Sequence, residues 1–293
     1  LEFRRVLFRS RGADDPELPD VVQQNAGTGR WDDAGIMRIT ILGSGGSGGV
    51  PLIGGDWGAC DPANPKNRRS RPSILVEDRG GRVLVDSSPD LREQLIANRT
   101  TWLSGVIFTH GHADHTHGLD DLRGINHAMN APLDVYADRG TLDDLMHRFG
   151  YCFTPIKPGG LYYKPALVAH EITGPFSVGG IEILPFEQDH GWMKTLGFRF
   201  GRFGYSTDVV RMEDAAFEAL KGIDTWVVDC VRVAPAHPVH AHLELTLQWI
   251  DRLRPRRAYL THMNQSMDYE TVLAMLPPGV EPAYDGLVID IPD

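Results

Sequence analysis

Residues 109–121, "THGHADHTHGLDD", constrain this chain more than any other stretch. Within eight residues they place His110, His112, Asp114, His115 and His117. Crowded imidazoles add little to an apolar core and repel one another once protonated. A shared cation removes both objections. The run follows "GVIFT", a short apolar, β-rich segment that reads as a buried strand. Side chains at the carboxyl end of a strand sit on a rigid scaffold and still reach solvent. His110 and His112, two apart on an extended turn, can grip one ion. Asp114 and His115, turning away toward "GLDDLRGINHAM", can hold a second. Imidazole and carboxylate ligands suit Zn²⁺, Mn²⁺ or Fe²⁺. The plain alternative is a chance His-rich surface turn, which the HxHxDH spacing argues against.

Two ions need further ligands, again at strand ends. His190 follows "IEILPFEQD", Asp208 follows "RFGYST" and His262 follows "RAYLT". Each alone reads as an ordinary loop or cap residue; together they complete a set of seven. Asp86, closing "RVLVD", is expected either to support a ligand histidine from behind or simply to form a turn.

The rest of the chain alternates strand runs with helical segments. Strands are expected at "RITIL", "SILVE", "RVLVDS", "GVIFT", "LDVYA", "IEILPF", "LGFRF", "RFGYST", "TWVVDC", "RAYLT" and "LVIDI", and helices over 118–129, 140–149, 211–221, 242–254 and 268–275. Early hairpin-like pairs precede the βα units, so the pattern predicts an α+β fold of sheets covered by helices, not a plain doubly wound sheet. The Pro- and Gly-rich stretch 153–180 reads as a loop or cap. Residues 1–36 lack periodicity, and "LEFRRVLFRS" resembles vector-derived sequence. They are expected to be a disordered, non-native leader before a hydrolase domain at 37–293 that opens with "MRITILG".

A net charge of −10 disfavours the broad basic face of a nucleic-acid binder. There is no run of 18 apolar residues, so no membrane span is expected. Three cysteines without paired spacing point to a reducing cytoplasm.

HxHxDH followed by single His, Asp and His at strand ends resembles the metallo-β-lactamase superfamily. Within it, "ILGSGGSGGVP", "VDSSPDLR", "QDHG", "YSTD", "HAHLELTL" and "LTHM" resemble its phosphodiesterase branch, which handles cyclic phosphates, and the ribonuclease Z group. The resemblance implies a four-layer αββα sandwich over 37–293. It implies two divalent ions, Zn²⁺ or Mn²⁺: one held by His110, His112 and His190, the other by Asp114, His115 and His262, with Asp208 bridging. The implied reaction is hydrolysis of a phosphodiester, a small cyclic phosphate above all, by a metal-activated water. Asp114 and His240 are expected to act in catalysis. His240 is placed by counting back from "LTH", with His242, at a helix start, as the alternative.

The cyclic-phosphate relatives hold a structural zinc on clustered cysteines and a histidine. Here only Cys60 remains and position 265 is Gln, so no structural zinc is expected. Arg68, Arg69 and Arg71 are then solvated or face a phosphate. His117 is expected behind the ligands or in the pocket, Arg123 on an exposed helix face or against an anionic substrate, and Cys230 as a buried thiol. The Gly-rich loop lacks a phosphate-loop lysine, and its glycines are expected to permit close backbone approach. The partner is a small phosphorylated molecule rather than a membrane or nucleic acid, with room for a homodimer. Competing functions are tRNA 3′-end processing, thioester or lactone cleavage, and non-catalytic metal binding.

Overall fold

The computed structural model describes residues 35–157 and 160–292. The expected leader at 1–36 falls almost entirely outside them. One seven-stranded sheet has the order β14 (Val288–Pro292), β1 (Ile36–Gly43), β2 (Ser73–Asp78), β3 (Gly81–Val85), β4 (Gly105–Ile107), β5 (Leu133–Ala137), β6 (Leu167–Glu171). The other has β13 (Val280–Pro282), β12 (Arg257–Thr261), β11 (Thr225–Asp229), β10 (Phe203–Ser206), β9 (Lys194–Phe200), β8 (Ile181–Asp189), β7 (Phe176–Val178). Strands β3 to β6 run parallel, as do β10 to β13. The remaining neighbours pair antiparallel.

Strict alternation sorts the side chains into layers. Ile74, Val76, Val83 and Val85 point inward and meet Phe198, Phe200 and Tyr205 of the second sheet. Leu75 and Leu84 point outward onto helices α1 (Leu91–Ala97), α3 (Leu122–Met129) and α4 (Arg139–Phe149). The second sheet is covered by α5 (Asp214–Leu220), α6 (Leu243–Leu253) and α7 (Tyr269–Leu273), whose Phe217, Trp249 and Val272 join the buried cluster on its other face. A one-turn helix, α2 (Ala113–Thr116), carries part of the histidine motif. This is the expected αββα sandwich.

Two expectations need correction. The stretch 153–180 is not wholly loop: it contributes edge strands β6 and β7, paired to β5 and β8. Both are half-exposed, which blurs the alternation a sequence reading relies on. Arg69 is neither solvated nor free for a phosphate. It is 2% exposed and donates to the carbonyls of Met267 (2.6 Å) and Asn264 (3.4 Å) and to Asn67 Oδ1 (3.3 Å), knitting the Cys60 loop to the segment after β12. Among the described residues no helix is long and apolar enough to cross a membrane.

Candidate metal centre

Every expected ligand lies just past a strand. Strand β4 leads to the histidine motif, β8 to His190, β10 to Asp208 and β12 to His262. The structure brings all seven residues together at one edge of the sandwich, where the two sheets meet. Three of the strand-end residues, Asp86, Asp208 and His262, take left-handed backbone angles, with φ of 63°, 54° and 60°. Gly46 makes room beside them: a Cβ there would lie 3.2 Å from the carbonyl of His262.

Asp208 is the pivot. Its Oδ1 faces His110 Nε2 at 3.8 Å and His190 Nε2 at 3.5 Å. Its Oδ2 faces His115 Nε2 at 3.0 Å and His262 Nε2 at 3.3 Å. Asp114 Oδ2 joins the second side, 3.5 Å from His115 and 3.4 Å from His262. His112 completes the first, its ring 4.6 Å from that of His110 and 5.2 Å from that of His190. Each four-residue set offers donor atoms within 4.8 Å of one another.

The donors fit divalent cations. His110 Nε2 and His115 Nε2 are buried without a hydrogen-bond partner. Leaving such a group unpaired costs about 1–3 kcal/mol, a penalty a cation removes. The far ring nitrogens are held instead. His115 Nδ1 meets Asp86 Oδ2 at 2.7 Å, and Asp86 also accepts from the amide and hydroxyl of Thr109. His190 Nδ1 meets the carbonyl of Val239 at 2.7 Å, and His110 Nδ1 meets Thr109 Oγ1 at 3.0 Å. These contacts turn Nε2 inward. Burial disfavours the charge on Asp208, yet His262, His115 and His110 hold its carboxyl well below the usual range. Burial likewise opposes protonation of His115, but Asp208, Asp114 and Asp86 push it well up.

His240 rather than His242 reaches the cluster. Its ring stacks on His262 at 4.6 Å, and its Nε2 lies 3.9 Å from Asp208 Oδ1. Burial lowers its basicity, but the Asp229 carboxylate, 3.2 Å from Nδ1, together with Asp208 and Asp114 outweighs it and pushes it up to about 9. His242 caps α6 instead, with Nε2 4.0 Å from Glu244. His117 does not stand behind the ligands. It closes α2 with its ring exposed, edge-on to Phe149. Arg123 is exposed and donates to the carbonyl of Tyr163 at 3.4 Å, and Cys230 is buried.

Two residues escaped the sequence reading. Asp229 ends "TWVVD" as Asp86 ends "RVLVD", so the signal was present. Its Oδ2 accepts from the amides of Ala241 (3.1 Å) and Val209 (3.2 Å), and its Oδ1 lies 3.8 Å from His262 Nδ1. Arg148 donates to the carbonyl of Gly111, between His110 and His112, at 2.5 Å; nothing in its sequence context marks it.

A family model described as the β-lactamase superfamily domain matches residues 81–263. An octanoyltransferase of Porphyromonas gingivalis is 33% identical over 254 residues, 86% of this chain and 51% of that protein. A coenzyme PQQ synthesis protein B of Xanthomonas oryzae is 30% identical over 168 residues, 51% of each chain. The chain thus spans about half the length of the curated relatives it matches. Among solved structures, a diphosphatase of the PhnP family superposes with a TM-score of 0.80 at 33% identity, covering 87% of this chain and 97% of that one. The zinc-bound PqqB of Methylobacterium extorquens shares the fold at a TM-score of 0.67 and 20% identity, over 87% of this chain and 100% of that one.

Proposed function

The chain belongs to the β-lactamase superfamily as a metal-dependent hydrolase, and on that premise we propose that it cleaves phosphodiesters, with a small cyclic phosphate as substrate and two Zn²⁺ or Mn²⁺ ions as cofactors. The observation that carries the reading is the orientation of Asp208, whose two oxygens face two different ligand sets. His110, His112 and His190 would hold one ion; Asp114, His115 and His262 the other; Asp208 would bridge. When bound, such a pair acidifies a water and clamps the attacking and leaving oxygens. The diphosphatase named above, at 33% identity, supports chemistry at phosphorus.

The chain's own groups then divide the work. Asp86 holds the Nδ1 proton of His115, so its Nε2 lone pair faces inward. Asp229 holds a proton on His240 Nδ1, leaving Nε2 to donate the second proton to the leaving oxygen. A phosphodiester's alkoxide leaving group needs that proton, whereas a good leaving group does not.

The test is hydrolysis of bis(p-nitrophenyl) phosphate against a thioester and nitrocefin, by chelated protein to which metal is restored. Metal-dependent phosphodiester cleavage is the expected result. Thioester or nitrocefin turnover without phosphodiester turnover would sink the proposal.

A further inference from the structure

We propose that Trp192 forms a stacking subsite at the lip of the metal centre, selecting phosphoesters that carry a flat aromatic group such as a nucleoside. This deepens the phosphodiesterase reading and rests on it. Trp192 is 87% exposed, and among the described residues its indole has no recorded ring, cation or hydrogen-bond partner. An indole carries some 150–250 Å² of surface that folding normally buries. Lone exposed hydrophobes are common, so position has to decide.

The position is fixed from three sides. His190 donates its amide to the carbonyl of Met193 at 2.9 Å, and Trp192 donates its own to the carbonyl of His190 at 3.1 Å, closing a tight turn between β8 and β9. Gly191, at φ 84°, lets that turn sit flush on the His240 loop: a Cβ there would lie 2.7 Å from Val239 Cγ1. His190 also bonds the Val239 carbonyl through Nδ1. The turn therefore braces an expected metal ligand and the segment carrying His240. Two residues on, the Trp192 Cα lies at most ~7 Å from that of His190. In this subsite a substrate with its phosphorus between Asp208 and His240 would lay its ester group over this turn. A rigid indole there offers a face to any nucleobase without reading its hydrogen-bonding edge.

The experiment compares two five-membered cyclic phosphates, adenosine 2′,3′-cyclic phosphate and glycerol 1,2-cyclic phosphate, which share the reacting ring; only the first carries a ribose and a base. For metal-loaded Trp192→Ala, the ratio of their kcat/KM values should fall by roughly 5- to 150-fold, the worth of one base stacked on an aromatic ring. Most of the change should lie in KM for the adenosine compound, and Trp192→Phe should restore most of the ratio. A ratio unchanged in Trp192→Ala overturns the proposal, as does an equal fall for both substrates. AMP binding by equilibrium dialysis, against ribose 5-phosphate, supplies a readout besides turnover. If neither cyclic phosphate is hydrolysed, the cyclic-phosphate reading fails. The subsite then stands or falls on whether Trp192→Ala weakens AMP binding while sparing ribose 5-phosphate.

Discussion

Replacing His240 with alanine is the sharpest test of how the site divides its labour. The fold and both four-residue ligand sets should survive the change. Asp229 Oδ2 keeps its bonds to the amides of Ala241 and Val209 when the imidazole leaves, so that oxygen is not stranded. The lost contact is one hydrogen bond between charged groups, worth about 1.5–3 kcal/mol against a typical total of 5–15 kcal/mol. His240 stands outside both four-residue sets, although with Asp229 and His262 it forms a third possible cluster. On an adenosine cyclic phosphate, His240→Ala should lower kcat by about 10²–10⁴-fold, the usual contribution of one general acid. On bis(p-nitrophenyl) phosphate the loss should be far smaller, because p-nitrophenolate departs without a proton. Steady-state kinetics on both substrates, with metal content and thermal midpoint measured in parallel, settle the matter. Equal losses on both substrates refute the proton-donor role. Loss of metal would make His240 a ligand, and a crippled His242→Ala beside an active His240→Ala would show that the wrong histidine was chosen.

Metal analysis should find about two divalent ions per chain, as two-metal sites require; a value near zero after purification in metal-supplemented buffer contradicts the ligand assignment. Arg69→Ala should destabilise the protein by at least about 1–3 kcal/mol, because the buried Met267 carbonyl loses its donor; an unchanged denaturant midpoint would show that the loop does not depend on Arg69. Burial opposes ionisation of Asp268, yet the amide and hydroxyl of Thr271, the amide of Asp61 and Asn67 outweigh it and hold the carboxyl down at about 2. The carboxylate therefore stabilises the fold above its ordinary value near 3.8 and loses that effect as pH falls toward 2. Melting temperature against pH should fall more steeply for the natural protein than for Asp268→Asn over that window, and parallel curves would refute the linkage.

Much of this architecture could be read in advance because alternation and strand-end chemistry are local signals. "SILVE" and "RVLVD" encode their layers residue by residue, and seven ligand-type residues each follow a strand. What stayed hidden depended on distant partners. Arg69 reads as a surface arginine until the backbone after β12 arrives to accept its protons. Strands β6 and β7 are short and half-exposed, so only pairing with β5 and β8 defines them. His117 shares the motif's composition but, at the close of a one-turn helix, turns away from the ligands. Arg148 acts through a backbone carbonyl, which no motif records.

The left-handed strand ends allow ligation and backbone strain to be separated. A left-handed conformation costs a non-glycine residue roughly 1–2 kcal/mol, and Asp208 sits there at φ 54°. The conformation persists because the surroundings over-determine it: the Asp208 carbonyl accepts from Thr195 Oγ1 at 3.0 Å, and the side chain accepts from Thr207 Oγ1 at 2.7 Å. Asp208→Ala and Asp208→Gly both remove the bridging carboxylate and should abolish turnover alike. They differ in the backbone alone, since glycine adopts this conformation without strain while alanine does not. In metal-free protein Asp208→Gly should therefore be the more stable by about 1 kcal/mol, even though glycine gives the unfolded chain more freedom. Denaturant unfolding of the two chelated variants measures the difference. If Asp208→Ala proves the more stable, the turn after β10 stores no strain, and the bridging geometry is held by side-chain contacts alone.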